Sequence, residues 1–222
     1  MLQRLLREAP AGVEAGRLEV QRRMHADLAE LVRDVYGPAY RSHGDVADRG
    51  PTWDLPELCG PVTLVDTAGA GLDDARDATT GSWRNVGEAA LVAWTAARLR
   101  AAGVEADDLG VITPYTAQVE LLRRQPELAG VEVSTVNGFQ GREKEVILLS
   151  LVRSNEDGAV GFATDRRRLT VALTRARRAL VVFGDLSTVG RTPWVADLAE
   201  RLAAAGAVRS VWEPPWSDQL PG

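Results

Sequence analysis

The sequence predicts an α/β fold with a mostly parallel sheet, and three observations predict it. From Pro61 onward, short β-rich runs alternate with helical stretches, the order that builds parallel sheets. Two runs, 146–152 and 179–183, are apolar without alternation, as suits central strands covered on both faces. The loops after several runs are polar and hold glycines, at the strand ends where such sheets place ligands.

Taken in order, residues 1–9 are apolar at helical spacing. Residues 24–36 repeat the pattern, with Met24, Leu28, Leu31 and Val35 on one face, and stop at Gly37-Pro38. Residues 37–60, rich in Gly, Pro, Asp and Arg, read as a long loop. Thus 1–60 form helices and loop leading into a main domain at 61–212, and 213–222 form a Pro-rich tail. Within the main domain 62–66 is a short strand. Residues 85–102 form a long helix ended by Gly103, and 110–113 a strand stopped by Pro114. A helix at 117–125 and a strand at 131–135 precede the apolar run 146–152. A helix over 166–178, capped by Asp165, leads to the strand 179–183. A helix over 194–205 and a strand over 208–212 close the domain. Trp212 and Trp216 either dock back or cover a neighbour. Ligands are expected at four loops: 113–115, 135–143, 153–155 and 184–185.

Composition removes several function classes. The 222 residues, 45% hydrophobic and 26% charged, fit one large soluble domain. No apolar run approaches the ~20 residues of a membrane span, and the start has no secretory-signal pattern. A cytoplasmic location without a membrane partner is expected. The single Cys59 excludes an internal disulfide and a cysteine metal cluster, and the two histidines, His25 and His43, argue against a zinc site. Of 26 basic residues, 25 are arginine. The one lysine, Lys144, follows Glu143 rather than glycine, so the sequence holds no Walker A phosphate loop. The net charge is −5, yet 142–178 carries nine basic against five acidic residues. The acidic balance argues against general coating of nucleic acid, while the positive charge gathered in one stretch allows a local basic surface.

Four segments hold candidate chemistry. Val133-Ser-Thr-Val-Asn-Gly-Phe-Gln-Gly-Arg-Glu143 places Gly138 and Gly141 after a strand, among groups suited to phosphates and sugar hydroxyls. By itself it reads first as an ordinary turn. In Asp165-Arg-Arg-Arg-Leu-Thr-Val-Ala-Leu-Thr-Arg-Ala-Arg-Arg178, helical spacing puts Arg168 and Arg175 within about 20° of each other. Arginines on a largely apolar helix need an anion, a carboxylate or a phosphate. An internal salt bridge with a solvated Arg177-Arg178 end is an equal reading. In Gln21-Arg-Arg-Met-His25, the histidine reads as a capping or surface residue. Gly110-Val-Ile-Thr-Pro-Tyr-Thr-Ala-Gln118 takes a strand through a proline turn into a helix N-terminus.

In this order, these segments resemble the second RecA-like motor domain of superfamily 1 helicases of the Upf-like/Dna-type nuclease-helicase group. Gln21-Arg-Arg-Met-His25 is similar to that family's Gln-Tyr-Arg-Met-His, and Asn85-Val-Gly-Glu-Ala89 to its Asn-x-x-Glu-Ala helix start. Thr113-Pro-Tyr-x-x-Gln118 resembles motif IV. Phe139-Gln-Gly-Arg-Glu-Lys144 resembles motif V, with Val152-Arg-Ser-Asn155 as the segment after it. Gly161-Phe162 and 165–176 resemble the Gly-Phe pair and motif VI.

The resemblance implies a three-layer RecA-like P-loop NTPase fold without its own Walker A loop. It implies the motor half of an ATP-dependent helicase or translocase, using ATP with Mg2+. A Walker A-bearing domain in cis or trans and single-stranded DNA or RNA would be the partners. Arg23 and Arg175 would be catalytic, reaching the γ-phosphate to stabilise transition-state charge. Arg22, Gln140, Gly141, Glu143 and Arg168 would line the nucleotide, with Glu143 on the ribose. Thr113, Tyr115, Ser134, Thr135 and Arg153 would lie along the single strand. The chain departs from the family at Arg22, where an aromatic is usual, and at Asn137, Arg166 and Thr170, usually Asp, Pro and Asn. These departures keep a second reading open, a non-catalytic nucleic-acid-binding or regulatory module.

Overall fold

The computed structural model describes residues 18–220. The helix expected over 1–9 lies outside the described residues. In chain order the main elements are β1 (Val20–Gln21), α1 (Ala26–Glu30), α2 (Arg33–Tyr36), β2 (Arg41–Ser42), α3 (Gly44–Ala47) and β3 (Val62–Asp66). Next come β4 (Ala75–Arg76), β5 (Trp83–Arg84), α4 (Val86–Ala101), β6 (Leu109–Thr113), α5 (Thr116–Arg123) and β7 (Glu132–Thr135). Then follow β8 (Lys144–Ser150), α6 (Arg166–Leu173), β9 (Ala176–Gly184), α7 (Leu186–Val189), α8 (Pro193–Ala204) and β10 (Val208–Ser210).

Six strands form one sheet in the order β10-β3-β9-β8-β6-β7, and every neighbouring pair is parallel. The two apolar runs noted in the sequence are the adjacent strands β8 and β9, and both faces are covered. Ile147, Leu149, Leu180 and Val182 pack with Leu28 of α1, Leu169 and Leu173 of α6 and Leu198 of α8. Leu148, Val181 and Phe183 pack on the other side with Leu91, Val92 and Leu99 of α4 and Leu122 of α5. This is the three-layer RecA-like arrangement.

The structure redraws several elements. The helix expected over 24–36 is two short ones, α1 and α2, broken at Val32, whose φ of −121° leaves the helical range. The core-facing series is Met24, Leu28 and Val32, while Val35 is exposed. The expected loop 37–60 contains β2, which pairs in parallel with β1, and α3. The helix expected over 166–178 ends at Leu173, and Arg175, Arg177 and Arg178 belong to the turn and the start of β9. A small antiparallel hairpin, β4 with β5, was not legible in the sequence. The last strand stops at Ser210 rather than Trp212.

The two tail tryptophans separate. Trp216 is fully buried, edge-on to Trp94 and Phe183 at 5.1 and 5.9 Å between ring centroids. Trp212 stays largely exposed, donating to the Ala68 carbonyl at 3.2 Å. Trp216→Ala is expected to lower unfolding stability by about 3–5 kcal/mol in urea titration. Unchanged stability would show that 213–220 is not part of the core.

Candidate functional site

The candidate residues divide between the two ends of the sheet. The loop after β7 explains the division. It leaves the carboxyl end of β7 at Thr135 and re-enters at Lys144, the amino end of the parallel strand β8. Glu143 therefore lies at the amino edge, beside the turn that starts β9. The expectation that all four loops gather at the carboxyl edge is corrected here.

At the amino edge the chain brings together Arg23, Glu143, Arg175 and Arg177. The Lys144 amide donates to the Arg175 carbonyl at 3.1 Å, and the His25 amide to the Arg177 carbonyl at 2.9 Å. These bonds draw the segment 21–25 onto the start of β9. The Gln21 side chain shapes that segment, its Oε1 accepting from the amides of Arg23 and Met24 at 2.7 and 2.8 Å. His25 is a cap, its Nδ1 accepting from the Asp27 amide at 3.1 Å. Glu143 is ion-paired with Arg23 on one oxygen and with Arg177 on the other. Burial raises the Glu143 pKa, but hydrogen bonds from Arg177 and the charges of Arg23 and Arg177 outweigh it, leaving the carboxyl below its usual range. Arg177 also reaches Glu145 at 3.1 Å, and Arg178 holds Glu145 at 2.6 Å. The expected solvated Arg177-Arg178 end is thus a network of ion pairs.

Arg175 differs from its neighbours. Its Nε donates to the Val171 carbonyl at 2.8 Å, Nη1 to the Arg142 carbonyl at 3.3 Å, and Nη2 to Thr174 Oγ1 at 3.0 Å. All three acceptors are neutral. Burial, then the nearby charge of Arg23, push its pKa down. A held but unneutralised guanidinium favours an added anion.

The remaining nucleotide candidates are spread out. Gln140 and Gly141 are exposed, and Gly141 has φ +83°, a backbone that glycine adopts freely. Arg22 is exposed and paired with Asp45 at 3.2 Å. Arg168 stands in the first turn of α6, paired with Asp165 at 3.2 Å. Arg175 lies past the other end of that helix, about 10 Å further by helical rise. The expectation that Arg168 and Arg175 share a buried helical face is corrected: the helix stops first, and Arg168 is exposed. Tyr36 and Tyr40, missed in the sequence, stack at 4.6 Å. Burial pushes the Tyr40 pKa up, against the pull of the Arg23 charge.

The carboxyl edge holds the single-strand candidates. Ser134 and Thr135 end β7 half-buried, and Thr135 Oγ1 accepts from the Gly138 amide at 3.2 Å. Tyr115 Oη accepts from the Phe162 amide at 3.1 Å. Gly161, at φ +65°, lets the chain pass against the Tyr115 hydroxyl and Arg153, where a Cβ would collide. Two expectations are corrected. Thr113 is fully buried. Arg153 is buried, paired with buried Asp74 at 2.8 Å, with its guanidinium 4.1 Å from the Trp83 ring centroid. Neither offers its polar group to a strand. Arg153 instead clamps the β4–β5 hairpin to the sheet. Asp74 and Trp83 were missed because an acidic, glycine-rich stretch gives no sign of burial.

Behind this edge lies a buried polar cluster. Glu88, in the first turn of α4, accepts from Ser150 Oγ at 2.5 Å and the Val152 amide at 2.9 Å. Burial pushes its pKa up to about 7, against the pull of the Ser150 and Val152 hydrogen bonds and with a further push from Asp185. Gln118 Nε2 donates to Ser150 Oγ and to the Asn85 carbonyl, both at 3.1 Å.

The fold and the two edges define an α/β domain of the P-loop NTPase superfamily that carries an arginine cluster and no Walker A loop. By comparison with known proteins, the chain belongs to the AAA domain family, whose model matches residues 1–187. It is 40% identical to mouse "DNA-binding protein SMUBP-2" over 96% of this chain and 22% of that protein. It is 40% identical to the Saccharomyces cerevisiae "DNA polymerase alpha-associated DNA helicase A", over 78% of this chain and 28% of that one. It is 35% identical to the Drosophila melanogaster "Regulator of nonsense transcripts 1 homolog", over 78% of this chain and 16% of that one. The chain thus spans less than a third of the length of these relatives. Among the described residues, no helix is long and apolar enough to cross a membrane, and no cluster of metal-ligating side chains forms.

Two outcomes test this geometry. Arg153→Ala leaves Asp74 buried and unpaired, so it is expected to cost about 3 kcal/mol or more in denaturant titration. A surface arginine would cost almost nothing. Glu88 stays protonated in the folded chain at pH values where the unfolded chain has ionised it. The wild type is therefore expected to lose stability relative to Glu88→Gln as pH rises from 4.5 to about 7, with a difference of roughly 3 kcal/mol that then levels off. Parallel stability–pH curves would disprove the raised pKa.

Proposed function

We propose that this chain is the C-terminal motor half of an ATP-dependent nucleic-acid helicase or translocase. The observation that carries the reading is the amino-edge cluster, where Arg175 is braced by neutral oxygens and crowded by Arg23. Such a group suits the charge that develops on a transferring phosphoryl. Arg23 and Arg175 would face the γ-phosphate, with Glu143, Gly141 and Gln140 beside the rest of the nucleotide. ATP with Mg2+ supplies the phosphoryl transfer that drives movement. The Walker A loop and the metal-holding carboxylates would come from a second RecA-like domain, in cis or in trans.

Tyr115, Ser134 and Thr135 would lie along single-stranded DNA or RNA at the carboxyl edge. The relatives named as a DNA-binding protein, a DNA helicase and a regulator of nonsense transcripts support a nucleic-acid track. One observation favours the second reading, a non-catalytic binding module. Arg22, in place of the aromatic that the resemblance implies, is turned to Asp45.

The test is ATP hydrolysis by the chain combined with a Walker A-bearing domain of a relative. Turnover stimulated by single strands is expected, with Arg175→Ala reducing kcat by about 10³-fold or more. Unchanged turnover in Arg175→Ala would remove the assigned role. Salt-sensitive strand binding that never responds to ATP would move the binding module to first place.

A further inference from the structure

Val152 follows the central strand β8 and has φ +72°, the only non-glycine positive φ among the described residues. For a β-branched residue this is a genuine outlier and a strained backbone. The Arg153 amide donates to the Leu151 carbonyl at 2.9 Å across it, which closes a γ-turn of the rare strained kind. Strain of this type persists only where the surroundings over-determine it.

Here the surroundings are one helix end. The Val152 amide donates to Glu88 Oε1 at 2.9 Å, and its carbonyl accepts from Asn85 Nδ2 at 3.1 Å. Asn85 Oδ1 meanwhile accepts from the Glu88 amide at 2.8 Å, so the N-cap of α4 orders the residue that grips the turn. Gln118 of α5 ties the same cluster to the Tyr115 loop, its Oε1 accepting from the Asn85 amide at 2.8 Å. Asn85, Glu88, Gln118 and Ser150 are all fully buried.

Beyond the turn, the reversed chain docks on two carboxylates. Asp74 accepts from Arg153 Nε at 2.8 Å and from the Ser154 amide and Asn155 Nδ2 at 2.9 Å each. Asp185 accepts from Ser154 Oγ at 2.9 Å.

We propose that Glu88, aligned by Asn85 and Gln118, is a positioning residue that holds the strained Val152 turn and thereby sets the carboxyl-edge surface that meets the single strand. Glu88 touches no strand itself; it acts through Val152. One buried cluster thus fixes the Tyr115 loop, which faces the strand, and the buried residues 153–154 behind it in a single relative placement. The inference rests on the nucleic-acid reading of this edge, and its test separates the two.

The experiment compares Glu88→Ala, Glu88→Gln and Val92→Ala in the whole chain. Val92→Ala is a cavity control one turn along the same helix, at a side chain that makes none of the cluster's hydrogen bonds. Hydrogen–deuterium exchange reads the Val152 amide, and fluorescence anisotropy reads binding of labelled oligo(dT) and oligo(U). Glu88→Ala is expected to speed exchange at Val152 and weaken oligonucleotide binding, each about tenfold. Glu88→Gln, which keeps an acceptor for Val152, is expected to restore both, whereas Val92→Ala changes exchange only in step with global stability. Equal behaviour of Glu88→Ala and Val92→Ala, or no rescue by Glu88→Gln, would overturn the proposal. If the wild-type chain bound neither oligonucleotide, the track reading would fall. The exchange comparison would then decide for or against the hold on Val152.

Discussion

The amino edge depends on one carboxylate held between two guanidiniums. Glu143 closes the loop after β7, Arg23 comes from the N-terminal segment, and Arg177 opens β9. Three stretches far apart in the chain are pinned by one charge. The pairs are half-exposed, so their direct contribution to stability is modest. Their importance is placement. With Glu143 and Glu145 engaged by Arg23, Arg177 and Arg178, Arg175 is the guanidinium left with only neutral acceptors. The cluster therefore keeps a positive surplus at one defined point, rather than diffuse basic charge.

The opposite edge is built on the contrary principle. Arg153 is neutralised by Asp74, and Asp185 is satisfied by Ser154, Ser187 and Thr188. Its polar groups are spent on shaping the backbone. The two edges are joined by β8, seven residues that start beside Glu143 and end just before the Val152 turn. At about 3.3 Å per residue the strand spans roughly 23 Å, and its apolar side chains are locked on both faces. A displacement at one end has little room to dissipate inside such a strand. Under the proposed function, this makes β8 the natural mechanical link between the nucleotide edge and the track.

Much of this was legible in the sequence, for identifiable reasons. The sheet strands announced themselves by apolar runs, and the long α4 by its length and its Gly103 stop. The motif arginines stood out as candidates because their order and spacing are distinctive. The helix over 166–178 was overextended because its apolar series runs unbroken into β9, and periodicity over so few residues does not separate the end of a helix from the start of a buried strand. The roles of Arg153 and Asp74 were hidden because their partnership is tertiary: 79 residues separate them, and nothing local marks either as buried. The hairpin was missed because two-residue strands carry no periodicity.

The geometry at Arg175 explains why arginine rather than lysine suits this position. Arg175 uses three nitrogens on three acceptors whose directions are fixed by the end of α6 and by the Arg142 carbonyl. A planar fork can satisfy that set and still present charge outward. An ammonium on a flexible stem has no Nε to anchor it to the Val171 carbonyl, and burial would draw it toward the neutral form. Arg23 meets the same requirement, holding Glu143 while Nη1 donates to the Thr174 carbonyl at 3.2 Å. Both guanidiniums are thereby oriented by the turn that ends α6. The placement of charge at this edge thus follows from where α6 stops, at the boundary that the sequence pattern concealed.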